Sequence, residues 1–221
     1  SLYSICGGII LRGDLKATPA ANTAFLAAGT FLASFVGTTG ASMLFIRPLL
    51  QANKGRKYVV HTVIFFIFLV SNIGGSLLPV GDPPLFLGYL RGVPFLWTLG
   101  LWPEWLFCSG ILLSMYYLLD RRYYTKEPTL GQLRDETRTE PLRVNGALNF
   151  VWLLGVVLAV ALIVPGKNFP GTNYVIPEET TKLGHYLREI IMLILVGVAW
   201  FTSSPQVRRD NDFNFGAIFE V

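Results

Sequence analysis

The stretch "SNIGGSLLPVGDPPLFL" (71–87) follows directly on the apolar run "YVVHTVIFFIFLV" and gathers residues that could handle an ion. Ser71 and Asn72 bring side-chain oxygens, and Asp82 brings a carboxylate. Gly74 and Gly75 weaken a helix, while Pro79, Pro83 and Pro84 cannot donate the backbone bonds that continue one. At membrane depth, backbone groups freed by such a break are tolerated only inside protein or beside a wet cavity. Carbonyls ending the first half-helix suit a cation, and amides at "GDPP" suit an anion. Ser71, Asn72, Gly74, Gly75, Gly81, Asp82 and Pro83 are therefore candidate binding residues. Asn72 and Asp82 are the candidate sodium ligands, and a carboxylate that holds either Na⁺ or H⁺ would exchange one for the other by competition.

The same residues admit a structural reading. Asp82 fits a helix N-cap with Pro83 in the first helical position. Ser71 and Asn72 could simply bond a neighbouring helix. Thr38, Thr39 and Ser42, in "GTTGAS", pose the same choice between ion ligation and packing.

These groups need elements to hold them. The chain has 221 residues, 52% hydrophobic and only 14% charged, with the apolar residues in long blocks. That pattern specifies an all-α polytopic membrane protein, since a full span needs about 20 apolar residues. The blocks lie at 58–78, 104–120, 146–165 and 185–204, with partial ones at 2–11 and 214–221. The net charge of +4 is small and its Lys and Arg lie between blocks, which excludes a nucleic-acid surface. No G-x-S-x-G, H-E-x-x-H or P-loop pattern is present, so no enzyme chemistry is expected. Cys6 and Cys108 read as buried small hydrophobes. His61 and His185 read as unremarkable interfacial residues. Both ends of the chain read as cuts through apolar stretches, as expected for the middle of a longer protein.

Basic loops orient the chain. The 121–145 stretch carries Arg121, Arg122, Lys126, Arg134, Arg138 and Arg143 and belongs inside, as do Arg208 and Arg209. Trp97, Trp102 and Trp105 form an expected outer aromatic belt. Block 23–46 then has basic residues on the same side at both flanks: Arg12 and Lys16 before it, Lys54, Arg56 and Lys57 after it. A re-entrant helical hairpin turning at "GTTGAS" resolves that conflict, with Gly37 and Gly40 at the tip and "IRPLL" ending the second arm; an ordinary tilted span with misleading flanking charges is the alternative. The interrupted segment 58–90 becomes a broken transmembrane helix facing that tip.

The stretches "SFVGTTGASMLFIRPLLQAN" and "VSNIGGSLLPVGDPPLFLGYLRGVPFLWTL" resemble the ion transporter superfamily, in particular bacterial sodium:proton antiporters and citrate transporters related to arsenite permeases. The resemblance implies two inverted repeats, each with a hairpin and a broken helix, working by alternating access in a homodimer. It implies a first-repeat transport region at 1–124, with hairpin 22–50 and broken helix 58–90. A cytoplasmic linker at 125–145 and a truncated second repeat at 146–221 would follow. Ser71, Asn72, Gly74 and Gly75 match the family's break, and Gly81, Asp82, Pro83 and Pro84 its second half. The tip departs from the Ser-Asn-Thr signature of the dicarboxylate branch. The expected function is secondary transport in a bacterial inner membrane, by Na⁺/H⁺ antiport. Cation-coupled carriage of citrate or another organic anion is the alternative, and a non-transporting membrane subunit a third. No cofactor is expected beyond the ions carried, and the partners are the lipid bilayer and a small solute.

Overall fold

The computed structural model describes residues 2–12, 17–127, 143–169, 171–179 and 181–210. The chain divides into two units, Leu11–Val144 and Ser1–Ile10 with Asn145–Val221. Most of the polar linker and the partial block 214–221 lie outside the described residues.

In the Leu11–Val144 unit, α2 (Pro19–Val36) starts at a built cap: Thr18 is extended and its side chain accepts from the Ala21 N–H at 3.3 Å. Pro19 occupies the first turn, where its missing N–H is harmless. The helix stops because Gly37 takes φ 82°, a conformation that costs a side-chain-bearing residue clash energy. α3 (Thr38–Ala52) begins at once and folds back on α2, with the Phe25 and Phe45 rings 4.7 Å apart. Gly29 permits the close approach, since a β-carbon there would press on Val70 and Phe45.

Residues 19–52 are thus a helical hairpin, but its turn is Gly37 alone. Gly40 lies in the first turn of α3, and Pro48 sits inside α3 without ending it. Proline removes one backbone bond and strains the turn before it. The buried Phe45 and Leu49 on either side keep the arm seated against its neighbours, so it runs on to Ala52.

The interrupted segment is α4 (Val60–Leu69), a tight 3₁₀ turn at Ile73–Leu77, an extended Leu78, and α5 (Pro83–Leu90). α6 (Trp102–Tyr124) closes the unit, with Glu104 in its first turn and Arg121 and Arg122 in its last, both favourable to the helix dipole. Trp97 and Trp102 are exposed as a belt requires, whereas Trp105 turns inward. Cys108 is exposed, contrary to the expectation of burial, because it shares the outward apolar face of α6 with Phe107, Ile111 and Met115.

The other unit packs α1 (Leu2–Cys6), α7 (Leu148–Leu162), α8 (Leu187–Thr202) and α9 (Pro205–Asp210). Asn149 joins three of its segments: it donates to the Gly8 carbonyl at 2.9 Å and accepts from the Ser203 hydroxyl at 2.9 Å. Ala159, Ile163 and Ile176 form a small core that Leu187, Ile191 and Met192 cover.

Pro19–Val36, Val60–Leu77 and Leu183–Thr202 are long and apolar enough to cross a membrane, and Leu148–Leu162 is a shorter apolar helix. Few residues of Leu183–Thr202 are fully buried, and Leu193 and Phe201 are strongly exposed. Such a surface is costly in water and ordinary against lipid.

Candidate ion site

The break packs against the start of α3. The Thr38 N–H donates to the Gly81 carbonyl at 3.0 Å, so the hairpin turn and the break share a backbone bond. Gly75 and Gly81 lie back to back: a β-carbon on Gly81 would overlap the Gly75 carbonyl, and one on Gly75 would meet the Thr38 methyl at 2.6 Å. Gly74 lies as close to α2, where a β-carbon would meet the Thr30 carbonyl at 2.7 Å. These contacts explain the glycines without invoking a ligand.

One turn along α3, the Ser42 and Ser71 hydroxyls meet at 2.8 Å. Ser71 is half-buried, and Asn72 beside it is exposed. Asp82 follows Gly81 directly and is half-buried, so its carboxylate hangs from the residue next to the Thr38–Gly81 bond. Its backbone is extended ahead of Pro83, as an N-cap requires, yet its side chain makes no capping hydrogen bond. Thr38 is buried, Thr39 exposed, Pro79 buried, and Pro83 and Pro84 exposed. Candidates from 38–42 and 71–83 therefore converge on one region, with Thr39 and Asn72 at its surface.

Most carbonyls of the break already accept protein donors. Ser34 donates to Gly74, Trp105 Nε1 to Ile73 at 3.1 Å, and Thr98 to Leu77 at 2.9 Å. The N–H groups of Gly75 and Gly81 take up the Asn72 and Leu78 carbonyls. Most of the freed carbonyls are thus satisfied by neighbouring elements or within the break itself, as a low-dielectric surrounding demands.

A second polar cluster, absent from the sequence-based candidates, lies at the other end of the same unit. Asp120, fully buried on α6, receives Arg56 Nη2 at 2.6 Å and Nη1 at 3.1 Å, a bidentate pair. His61 Nε2 lies 2.7 Å from Asp120 Oδ1. Asn22 on α2 and Asn53 at the end of α3 exchange amide bonds of 2.8 and 3.0 Å, and Arg56 donates to Asn53 at 3.2 Å. Glu127 accepts from the Lys57 and Tyr58 amides, with its Oε1 4.0 Å from Arg56 Nε. His61, expected to be unremarkable, is a full member of this set. The available signal was Asp120 itself, an acid at the end of an apolar block, where ionisable residues are rare unless paired.

A protein-family model described as "Putative citrate transport" matches residues 1–221, the whole chain. No curated protein and no solved structure matches it. With a match of that extent on a chain built of apolar, membrane-length helices, the protein belongs to this citrate-transport family and is a membrane transport protein rather than an enzyme.

Proposed function

We propose that the protein is a secondary active transporter that exchanges Na⁺ for H⁺ by alternating access, with the cation carried between the hairpin turn and the helix break. The observation that supports this reading is the junction of the two segments, joined by the Thr38–Gly81 bond next to Asp82 in the chain and, one turn along α3, by the Ser42–Ser71 pair. Because the break's carbonyls mostly serve protein donors, the ion's ligands are side-chain oxygens of Ser42, Ser71, Asn72 and Asp82. Hard oxygen donors suit an alkali cation. One carboxylate among neutral oxygens is neutralised by either Na⁺ or H⁺, which makes the two compete and couples their opposite movements. Thr38, Thr39, Gly74, Gly75, Gly81 and Pro83 shape the site.

In this reading the hairpin is re-entrant and 1–124 is the first of two inverted repeats. Residues 125–145 are a cytoplasmic linker, 146–221 begin the second repeat, and the protein works as a homodimer in a bacterial inner membrane. The family description favours a second reading, in which citrate is the cargo and the cation its coupling ion. The candidate residues include no Arg or Lys, so a tricarboxylate would have to enter with cations or lean on backbone amides.

The test is flux in everted vesicles containing the full-length protein. Na⁺-driven proton movement that Asp82→Asn abolishes supports exchange. Citrate uptake that needs Na⁺, without proton exchange in its absence, moves the assignment to the second reading. No flux of either kind from correctly inserted protein overturns both.

A further inference from the structure

The backbone of α3 is weakened at two places. At its start stands Gly37, with φ 82°, and no side chain caps the helix that follows. Inside it stands Pro48, which has no N–H to give the Leu44 carbonyl and crowds the turn before it. Interior prolines and glycine junctions are where helices bend. Residues 38–46 lie between these two points and carry Thr38 and Ser42 to the break.

The two sides of Pro48 are held differently. Beyond it Leu49 is fully buried, and Asn53 donates to the Leu49 carbonyl at 2.8 Å. Asn53 also exchanges amide bonds with Asn22 and accepts from Arg56 at 3.2 Å. Arg56 is bidentate on Asp120 of α6, so this end of α3 is tied to α2 and α6 through buried side chains. Residues 38–46 meet the break through the Thr38–Gly81 bond and the Ser42–Ser71 pair. Their hold on α2 is apolar, with Phe45 resting on Phe25 and Gly29. Apolar contacts have no direction, so packed helices can slide across them.

We propose that residues 38–46 form a gate over the junction of turn and break, hinged at Gly37 and Pro48. Opening parts Thr38 from Gly81 and Ser42 from Ser71, while residues 49–56 stay clamped to α2 and α6. The gate controls access to Ser71 and Asp82. That role rests on the reading of the junction as the ion site, whereas the hinge itself does not.

The test is hydrogen exchange of the full-length protein in detergent, read by mass spectrometry on short peptides. Helix ends ordinarily fray first, yet the amides of residues 42–46 should exchange about tenfold faster than those of 50–53 at the clamped end. Pro48→Ala gives the Leu44 carbonyl its N–H back and stiffens the hinge. It should slow exchange at 42–46 and lower turnover about fivefold, one helical bond's worth, with unchanged half-saturation. Its unfolding temperature should be equal to that of wild type or higher. Turnover is read on whichever flux wild type shows, proton exchange or citrate uptake. A packing role alone would move the unfolding temperature and leave turnover as it is. Equal protection of the two segments in wild type overturns the hinge, even should Pro48→Ala fail to fold. Wild-type turnover and exchange in Pro48→Ala overturn it as well. Fast exchange at 42–46 that saturating Na⁺ does not slow supports the hinge and counts against Na⁺ as the ion carried.

Discussion

Thr38 and Gly81 join through one backbone hydrogen bond of 3.0 Å, and that bond seats the turn of the α2–α3 hairpin on the break between α4 and α5. Helix starts leave N–H groups without intrahelical partners, and here the break supplies one. The contact is possible only because Gly75 and Gly81 let two backbones meet without side chains between them.

Substitution at that junction should be costly. Gly81→Ala forces a methyl group onto the Gly75 carbonyl, which backbone cannot yield cheaply. We expect a loss of about 1–3 kcal/mol or more, read as a lower unfolding temperature in detergent, together with reduced transport. Gly100→Ala, where a β-carbon meets nothing within 4 Å, should be close to neutral.

Asp82 should separate function from stability. Its side chain makes no capping bond, so Asp82→Asn should change stability by no more than about 0.5 kcal/mol. The same change should abolish Na⁺-dependent proton movement. A variant that unfolds but leaves exchange per folded molecule intact would return Asp82 to a purely structural role.

The Ser42–Ser71 pair should affect affinity more than turnover. Removing either hydroxyl deletes one oxygen from the proposed shell, a loss of about 1 kcal/mol. Ser42→Ala and Ser71→Ala should each raise the Na⁺ concentration for half-maximal exchange about fivefold. Equal affinity in both variants would remove the pair from the ion's coordination.

Asp120 and Arg56 should behave as one unit. Breaking a buried pair by removing a single partner costs about 3–5 kcal/mol, so Asp120→Asn or Arg56→Met alone should be severely destabilised. The double variant should recover part of that loss, because no unpaired charge is then left buried. A double-mutant cycle on unfolding measures the coupling.

The hairpin has a topological test. If it is re-entrant, cysteines introduced at Lys16 and Lys54 should react with an impermeant thiol reagent from the same side of the membrane. Labelling from opposite sides would make the segment between them an ordinary single span.

Some of this was readable from the residues alone. Helical blocks and their interruptions have local causes. A run of apolar residues makes a helix that must be buried or in lipid, Gly37 permits a turn, and Gly74, Gly75 and Pro79 keep a regular α-helix from running on through the break. Hence the hairpin region, the break and the transporter resemblance were all legible before any packing was known. The second arm, expected to end with "IRPLL", runs two residues further to Ala52, because a proline's cost is local whereas the contacts that seat the arm are tertiary.

Which groups meet is a different matter. Ser42 finds Ser71 across 29 residues of chain, and Asp120 finds His61, Arg56 and Asn22 across 59, 64 and 98. No periodicity encodes such pairings, since they depend on how whole helices cross. The sequence alone determined that the chain makes membrane-length helices with one heavily broken segment, because propensity and hydropathy act residue by residue. Only the tertiary structure decided that the break's carbonyls are largely spent on neighbours and that His61 shares a buried carboxylate. Burial and charge compensation are properties of packed elements, not of the residues taken one at a time.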